Sequence, residues 1–187
     1  MIKTKTTANT NTKVKANFED VLPKLTQMEI FSKFNPENER DLEILKKVFD
    51  RLIPHHFKKG ETIIKEGEKG ELFYILYKGS VQVRQKTFSN DTIALANLDD
   101  SMNIFFGETA LIGQDTRSAS VVAVTDCETI ALSGADFLQL SEDEPSFGFR
   151  VTLILARRMA ATIRRTNQDK TTLYEALLSE VEGTFGA

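Results

Sequence analysis

Residues 105–124 read FFGETALIGQDTRSASVVAV and hold the residue types in this chain best suited to chemistry. Gly107 interrupts an apolar run, Glu108-Thr109-Ala110-Leu111 has the length of one helical turn, and Arg117 opens the next apolar stretch. A glycine followed by one helical turn leaves backbone N–H groups converging on a single spot, which favours an anion, commonly a phosphate. Arg117 stands nine residues after Glu108, across a loop containing Gly113 that can fold back over that spot. Its guanidinium suits a paired, charge-assisted contact to two phosphate oxygens. Glu108 would repel a phosphate, so its carboxylate is better used in accepting from a sugar hydroxyl nearby. Together the two residues ask for one ligand carrying both a phosphate and a free hydroxyl. The competing reading from spacing alone is an ordinary Glu108–Arg117 ion pair at a turn, a common and individually weak contact.

Other chemistries find little support. His55 and His56 are the only two histidines and Cys127 the only cysteine, which argues against a zinc site, a Cys/His nucleophile and an internal disulfide. Adjacent histidines point apart on a strand or loop, and a solvated pair is the simplest reading; neither a catalytic residue nor a metal is expected, and the chain reads as a non-enzyme. The net charge of −3 argues against a protein built mainly to grip nucleic acid. No apolar run approaches a membrane span and the polar start lacks a signal peptide's apolar core, so a soluble cytoplasmic protein without membrane contact is expected. A single cysteine fits a reducing compartment.

The elements that must hold residues 105–124 follow from periodicity. The 187 residues, 41% of them apolar, suffice for one packed domain with some helical or flexible trimming. Residues 1–17 carry Lys3, Lys5, Lys13 and Lys15 and no acid, giving a +4 tail on a −7 remainder that reads as a disordered, solubilising segment or a docking arm. Residues 18–54 are helical in period: Leu42, Ile44, Leu45, Val48 and Phe49 form a stripe, and Asn35-Pro36 offers an N-cap with proline in the first helical position. From 55 to 134 the period drops to two. Strands are expected at 60–67, 71–85 (a hairpin around Lys78-Gly79), 91–98, 102–106, 118–125 and 127–133. This series predicts a mainly β fold, an antiparallel jelly-roll barrel with flanking helices. Residues 135–187 return to a helical period, restarting at Pro145; Met159, Ile163, Thr166, Lys170, Leu173, Leu177 and Val181 could pack on the barrel or form a seam with a second copy.

Phe106-Gly107-Glu108-Thr109-Ala110-Leu111 followed by Arg117-Ser118-Ala119-Ser120-Val121 resembles the phosphate-binding cassette of the cyclic-nucleotide-binding domain family. Phe57-Lys58-Lys59-Gly60-Glu61, Lys65-Glu66-Gly67, Phe73-Tyr74-Ile75 and Lys78-Gly79-Ser80-Val81 are similar to that family's first strands, so the resemblance covers about residues 28–167. It implies that Glu108 takes the ribose 2′-hydroxyl, that Arg117 neutralises the cyclic phosphate, and that N–H groups of Gly107, Glu108, Thr109 and Ala110 line it. Ser118 would contact phosphate or base, Ala119 would keep the strand small beside the ligand, and Thr162 falls where family members reach an adenine. Thr116 replaces the usual proline before the arginine, and residues 98–104 form a longer loop than is usual. The implied ligand is cyclic AMP, with cyclic GMP as the alternative and no separate cofactor.

In the family the helices after the barrel move on binding; here Leu111 and Ile112, with Phe147, Leu153 and Leu155, are the expected coupling residues. The 20 residues after Asn167 are too few for a DNA-reading module, so direct DNA binding is not expected and output through an effector protein, the tail or a homodimer over residues 150–182 is. A fold that has lost its ligand and serves only structure or dimerisation is the alternative reading.

Overall fold

The computed structural model describes residues 17–113 and 116–185; the basic tail proposed at 1–17 lies, apart from Asn17, outside them. Helix α1 (Phe18–Gln27) and helix α2 (Glu39–Phe49), joined through a 3₁₀ turn at Glu29–Phe31, precede eight strands. These are β1 (Ile53–Phe57), β2 (Thr62–Ile64), β3 (Leu72–Lys78), β4 (Ser80–Lys86), β5 (Thr92–Asp99), β6 (Phe105–Phe106), β7 (Ser120–Ala123) and β8 (Cys127–Ser133). A one-turn helix α3 (Thr109–Ile112) interrupts them, and α4 (Gly134–Asp143) and α5 (Pro145–Phe185) follow.

The strands form two antiparallel four-stranded sheets, β1-β8-β3-β6 and β2-β7-β4-β5. This is the jelly-roll arrangement, two sheets face to face rather than one closed barrel. It also corrects the hairpin expected at Lys78-Gly79. β3 and β4 lie in different sheets, and the chain crosses between them at Gly79, whose N–H donates to Asp100 Oδ2 at 2.6 Å. The first sheet is a middle layer. Phe73, Ile75, Phe105, Ile130 and Leu132 project into a core shared with the helices, while Tyr74, Leu76, Phe106, Cys127 and Ala131 project into a second core between the sheets. Burial on both faces explains why LFYILY reads as a continuous apolar run instead of an alternation.

The helical ends differ from expectation in two places. The N-cap of α2 is Asn38, whose side chain accepts from the Asp41 N–H at 3.1 Å; Asn35 instead accepts from Glu37 N–H in the preceding turn. Strand β1 begins at Ile53, inside the segment read as helical, and pairs with β8 despite Pro54. His55 is not one of a solvated pair. Its ring packs against Phe57 and Tyr74, and its Nε2 and the Oγ1 of its cross-strand partner Thr129 are both buried without a hydrogen-bond partner among the described residues.

Two ion-pair groups tie the N-terminal helices to α4 and α5. Glu144, 3% exposed, receives Arg40 and Lys47 from α2, and Arg150 donates to Asp41 at 2.6 Å. The Lys47 hydrogen bond holds the Glu144 carboxyl below its ordinary value of 4.5, against the opposing effect of burial. A depressed folded-state pKa contributes stability above the unfolded value and loses it as pH falls through the folded one. Glu144→Gln is therefore expected to cost about 1–3 kcal/mol at pH 7, as for hydrogen bonds to charged groups, in urea unfolding. The gap to the parent chain should close as pH falls below the glutamate range. A pH-independent gap would show that the loss comes from packing and not charge.

No helix among the described residues is long and apolar enough to cross a membrane. In α5, Phe147, Val151, Ile154 and Leu155 are buried, and every residue from 161 to 181 is exposed. Of the expected coupling residues, Leu111, Phe147 and Leu155 share one core. Ile112 and Leu153 do not; they are 45% and 37% exposed.

Candidate functional site

The site is built where β6 ends. Phe105 and Phe106 alternate into the two cores, and the chain then turns at Gly107 with φ of +77°. A side chain at this position would be doubly excluded: the conformation is left-handed, and a Cβ would sit 2.9 Å from Arg117 Nη1 and from Ile64 Cδ1. Glu108 then caps α3. Within this turn the Ala110 N–H donates to Gly107 O and the Leu111 N–H to Glu108 O. The N–H groups of Gly107, Glu108 and Thr109 have no backbone acceptor among the described residues. They are three of the four donors expected, with Ala110's already engaged inside the turn.

Arg117 enters from the residue before the bend into β7 and is 7% exposed. Nη1 donates to Gly107 O at 3.0 Å and Nη2 to Leu72 O at 2.5 Å. Two of five guanidinium N–H donors are thereby fixed. The side chain fits because residue 70 is glycine, where a Cβ would lie 1.9 Å from Arg117 Nε. A cavity of about 340 Å³ borders the guanidinium, lined by Ile64, Leu72, Tyr74 and the loop at 68–71. Burial pulls the Arg117 pKa down, while Tyr74 and Glu108 favour its charged form. Burial correspondingly raises the Tyr74 phenol, with Arg117 opposing.

Glu108 and Arg117 do not form the simple ion pair that spacing alone allowed. The Glu108 carboxylate instead faces Arg158 of α5, Oε1 to Nε at 3.7 Å, and the Arg158 guanidinium lies 4.3 Å from the centroid of the Phe105 ring. No carboxylate lies within ion-pair distance of Arg117 among the described residues. Sequence reading missed Arg158. Its only signal was position, three residues beyond buried Leu155 and four before Thr162, on the side of α5 that meets the sheets. Thr162 is exposed one turn further along. Ser118 is also exposed, its carbonyl accepting from Gln85 Nε2, and Ala119 is half-buried. The longer loop is ordered around Asp100, which binds Gly79 through side chain and backbone and accepts from Lys24.

A jelly roll carrying a positive-φ glycine, a one-turn helix and a buried arginine at its sheet edge defines a class of small-ligand-binding regulatory domains, and comparison with known proteins agrees. Residues 54–144 match the family model described as the cyclic nucleotide-binding domain. That segment belongs to the cyclic nucleotide-binding domain family. The human cGMP-dependent protein kinase 2 is 43% identical over 79 residues, covering 42% of this chain and 10% of the kinase. The cAMP-activated global transcriptional regulator CRP of Pasteurella multocida is 35% identical over 114 residues, covering 60% of this chain and 54% of the regulator. The chain thus spans about a tenth to about half the length of these relatives. Among solved structures, the Thermus thermophilus catabolite activator protein superposes with a TM-score of 0.65 at 28% identity, over 78% of this chain and 62% of that one.

Gly107→Ala tests the turn independently of any ligand. Forcing a side chain into this left-handed, crowded position should lower unfolding free energy by about 1–3 kcal/mol, read by chemical denaturation. A neutral substitution would mean that the turn geometry is wrong.

Proposed function

We propose that the chain is a cyclic-nucleotide-binding regulatory protein, not an enzyme, with cyclic AMP as its ligand and cyclic GMP as the alternative. The observation that carries this reading is Arg117: a buried guanidinium, held by two carbonyls, that lacks an ion-pair partner among the described residues. A buried charge in that condition is costly unless something compensates it. A phosphate set against its remaining donors and against the free N–H groups of Gly107, Glu108 and Thr109 supplies the compensation.

In this reading Glu108 accepts the ribose 2′-hydroxyl, Ser118 and Ala119 flank the phosphate and base, and Thr162 reaches the base from α5. Relatives named for both cyclic nucleotides are among those matched, so they do not decide the base; Thr162 favours adenine. Because Glu108 also faces Arg158, a ribose hydroxyl competes with α5 for the same carboxylate. Ligand binding then changes how tightly α5 is held, and the helix carries the signal to an effector protein or to a second copy through residues 150–182. A ligand shifts this equilibrium only as far as its affinity differs between the two helix positions.

Calorimetric titration with cyclic AMP and cyclic GMP, side by side, is the test. Saturable binding to one or both is expected, and Arg117→Ala should weaken it by about 10- to 150-fold, the equivalent of one charge-assisted hydrogen-bond group. Far-ultraviolet circular dichroism keeps loss of binding separate from loss of fold. Absence of binding by the folded parent chain would overturn the proposal in favour of a structural domain that has kept only the fold.

A further inference from the structure

The barrel fixes the rotation of α5. With Phe147, Val151, Ile154 and Leu155 buried, the opposite side of the helix carries Phe149, Leu153, Ala156, Ala160 and Ile163, in steps of four and three. The same steps continue through Asn167, Lys170, Tyr174, Leu177 and Val181. This register replaces the seam read from sequence through Met159, Thr166 and Leu173, which ignored where the first turns of the helix must face. Ile163, Tyr174, Leu177 and Val181 are 59%, 68%, 58% and 52% exposed, so the stripe has no cover within the chain. It is about 50 Å long at 1.5 Å per residue.

We propose that a second copy covers this stripe and that the two α5 helices run antiparallel. Three features choose the occupant and its direction. Size comes first: antiparallel alignment sets Ala156 against Val181, Ala160 against Leu177 and Ile163 against Tyr174, small against large. Parallel alignment sets each alanine against itself and leaves gaps, which cost packing energy. Polar groups come second. Antiparallel alignment places Asn167 against Lys170 in two equivalent layers, whereas the parallel one stacks Lys170 on Lys170.

Charge comes third. Residues 145–168 hold five arginines and no acid, while residues 169–181 hold Asp169, Glu175 and Glu180 against Lys170 alone. The basic half carries a groove of about 410 Å³ lined by Lys33, Arg150, Arg157, Phe149, Leu153 and Ile154, without a carboxylate. An acidic, leucine-bearing helix end fits this groove, and the chain's own basic tail does not. The inference stands apart from the nucleotide reading, since it uses no residue of the cassette.

The test needs no ligand. Analytical ultracentrifugation of the full chain should give twice the chain mass. Two singly substituted chains, Ala160→Cys and Leu177→Cys, are then mixed and oxidised; native Cys127 is 2% exposed, and the unsubstituted chain serves as control. Antiparallel pairing is expected to give a disulfide-linked dimer in the mixture and in neither chain alone. Self-linking of either chain alone would establish the parallel arrangement and overturn the proposal. A monomer across the micromolar range would do the same and leave the stripe to a different protein. Ile163→Glu, at an exposed position that should not disturb folding, is expected to abolish the dimer while circular dichroism is unchanged.

Discussion

The placement of one guanidinium, that of Arg117, governs the architecture around the cassette. A cation this deeply buried is retained only where oxygen atoms meet it, and here they are the carbonyls of Gly107 and Leu72. Each carbonyl imposes its own condition on the chain. Gly107 must turn with positive φ to aim its oxygen, Leu72 must stand at the start of β3, and residue 70 must carry no side chain. Three segments distant in sequence are thus registered on one side chain, and the turn that results leaves backbone N–H groups free beside it.

The middle sheet explains how such a site communicates. Its strands are buried on both faces, so Phe105 and Phe106, next to Gly107, each belong to a different core. Leu111 in α3 packs in the helical core with Phe147 and Leu155 of α5. Arg158 closes the path by touching Phe105 and facing Glu108. A change at the cassette is therefore felt by α5 through packing and through charge, while Arg40, Lys47 and Arg150 clamp the start of that helix to α2 and its neighbouring turn.

Much of this was legible in the sequence because it is local. The cassette turn follows from a glycine and four residues, β8 spans the expected residues, and the restart at Pro145 follows from its missing N–H. What escaped was set by tertiary position. Lys78-Gly79 has the composition of a hairpin turn, but Phe73 and Ile75 must reach one core while Val81 must reach the other, and that separates the strands. Asn38 outcompetes Asn35 as a cap because Asp41, which its side chain serves, is held by Arg150 from far along the chain. The Glu108–Arg158 contact joins elements fifty residues apart, beyond the reach of spacing. The register of α5 needed the barrel to say which way the helix faces.

The most direct test of the binding site is a proton–nitrogen NMR titration of the labelled chain with cyclic AMP, following the cassette amides and the arginine side chains. The Gly107, Glu108 and Thr109 amides and the Arg117 Nε–H should shift together with one saturation curve, accompanied by Arg158 as Glu108 is drawn to the ribose. Saturable shifts that avoid these groups, or no shifts at all from a folded chain, would contradict a phosphate held by Arg117.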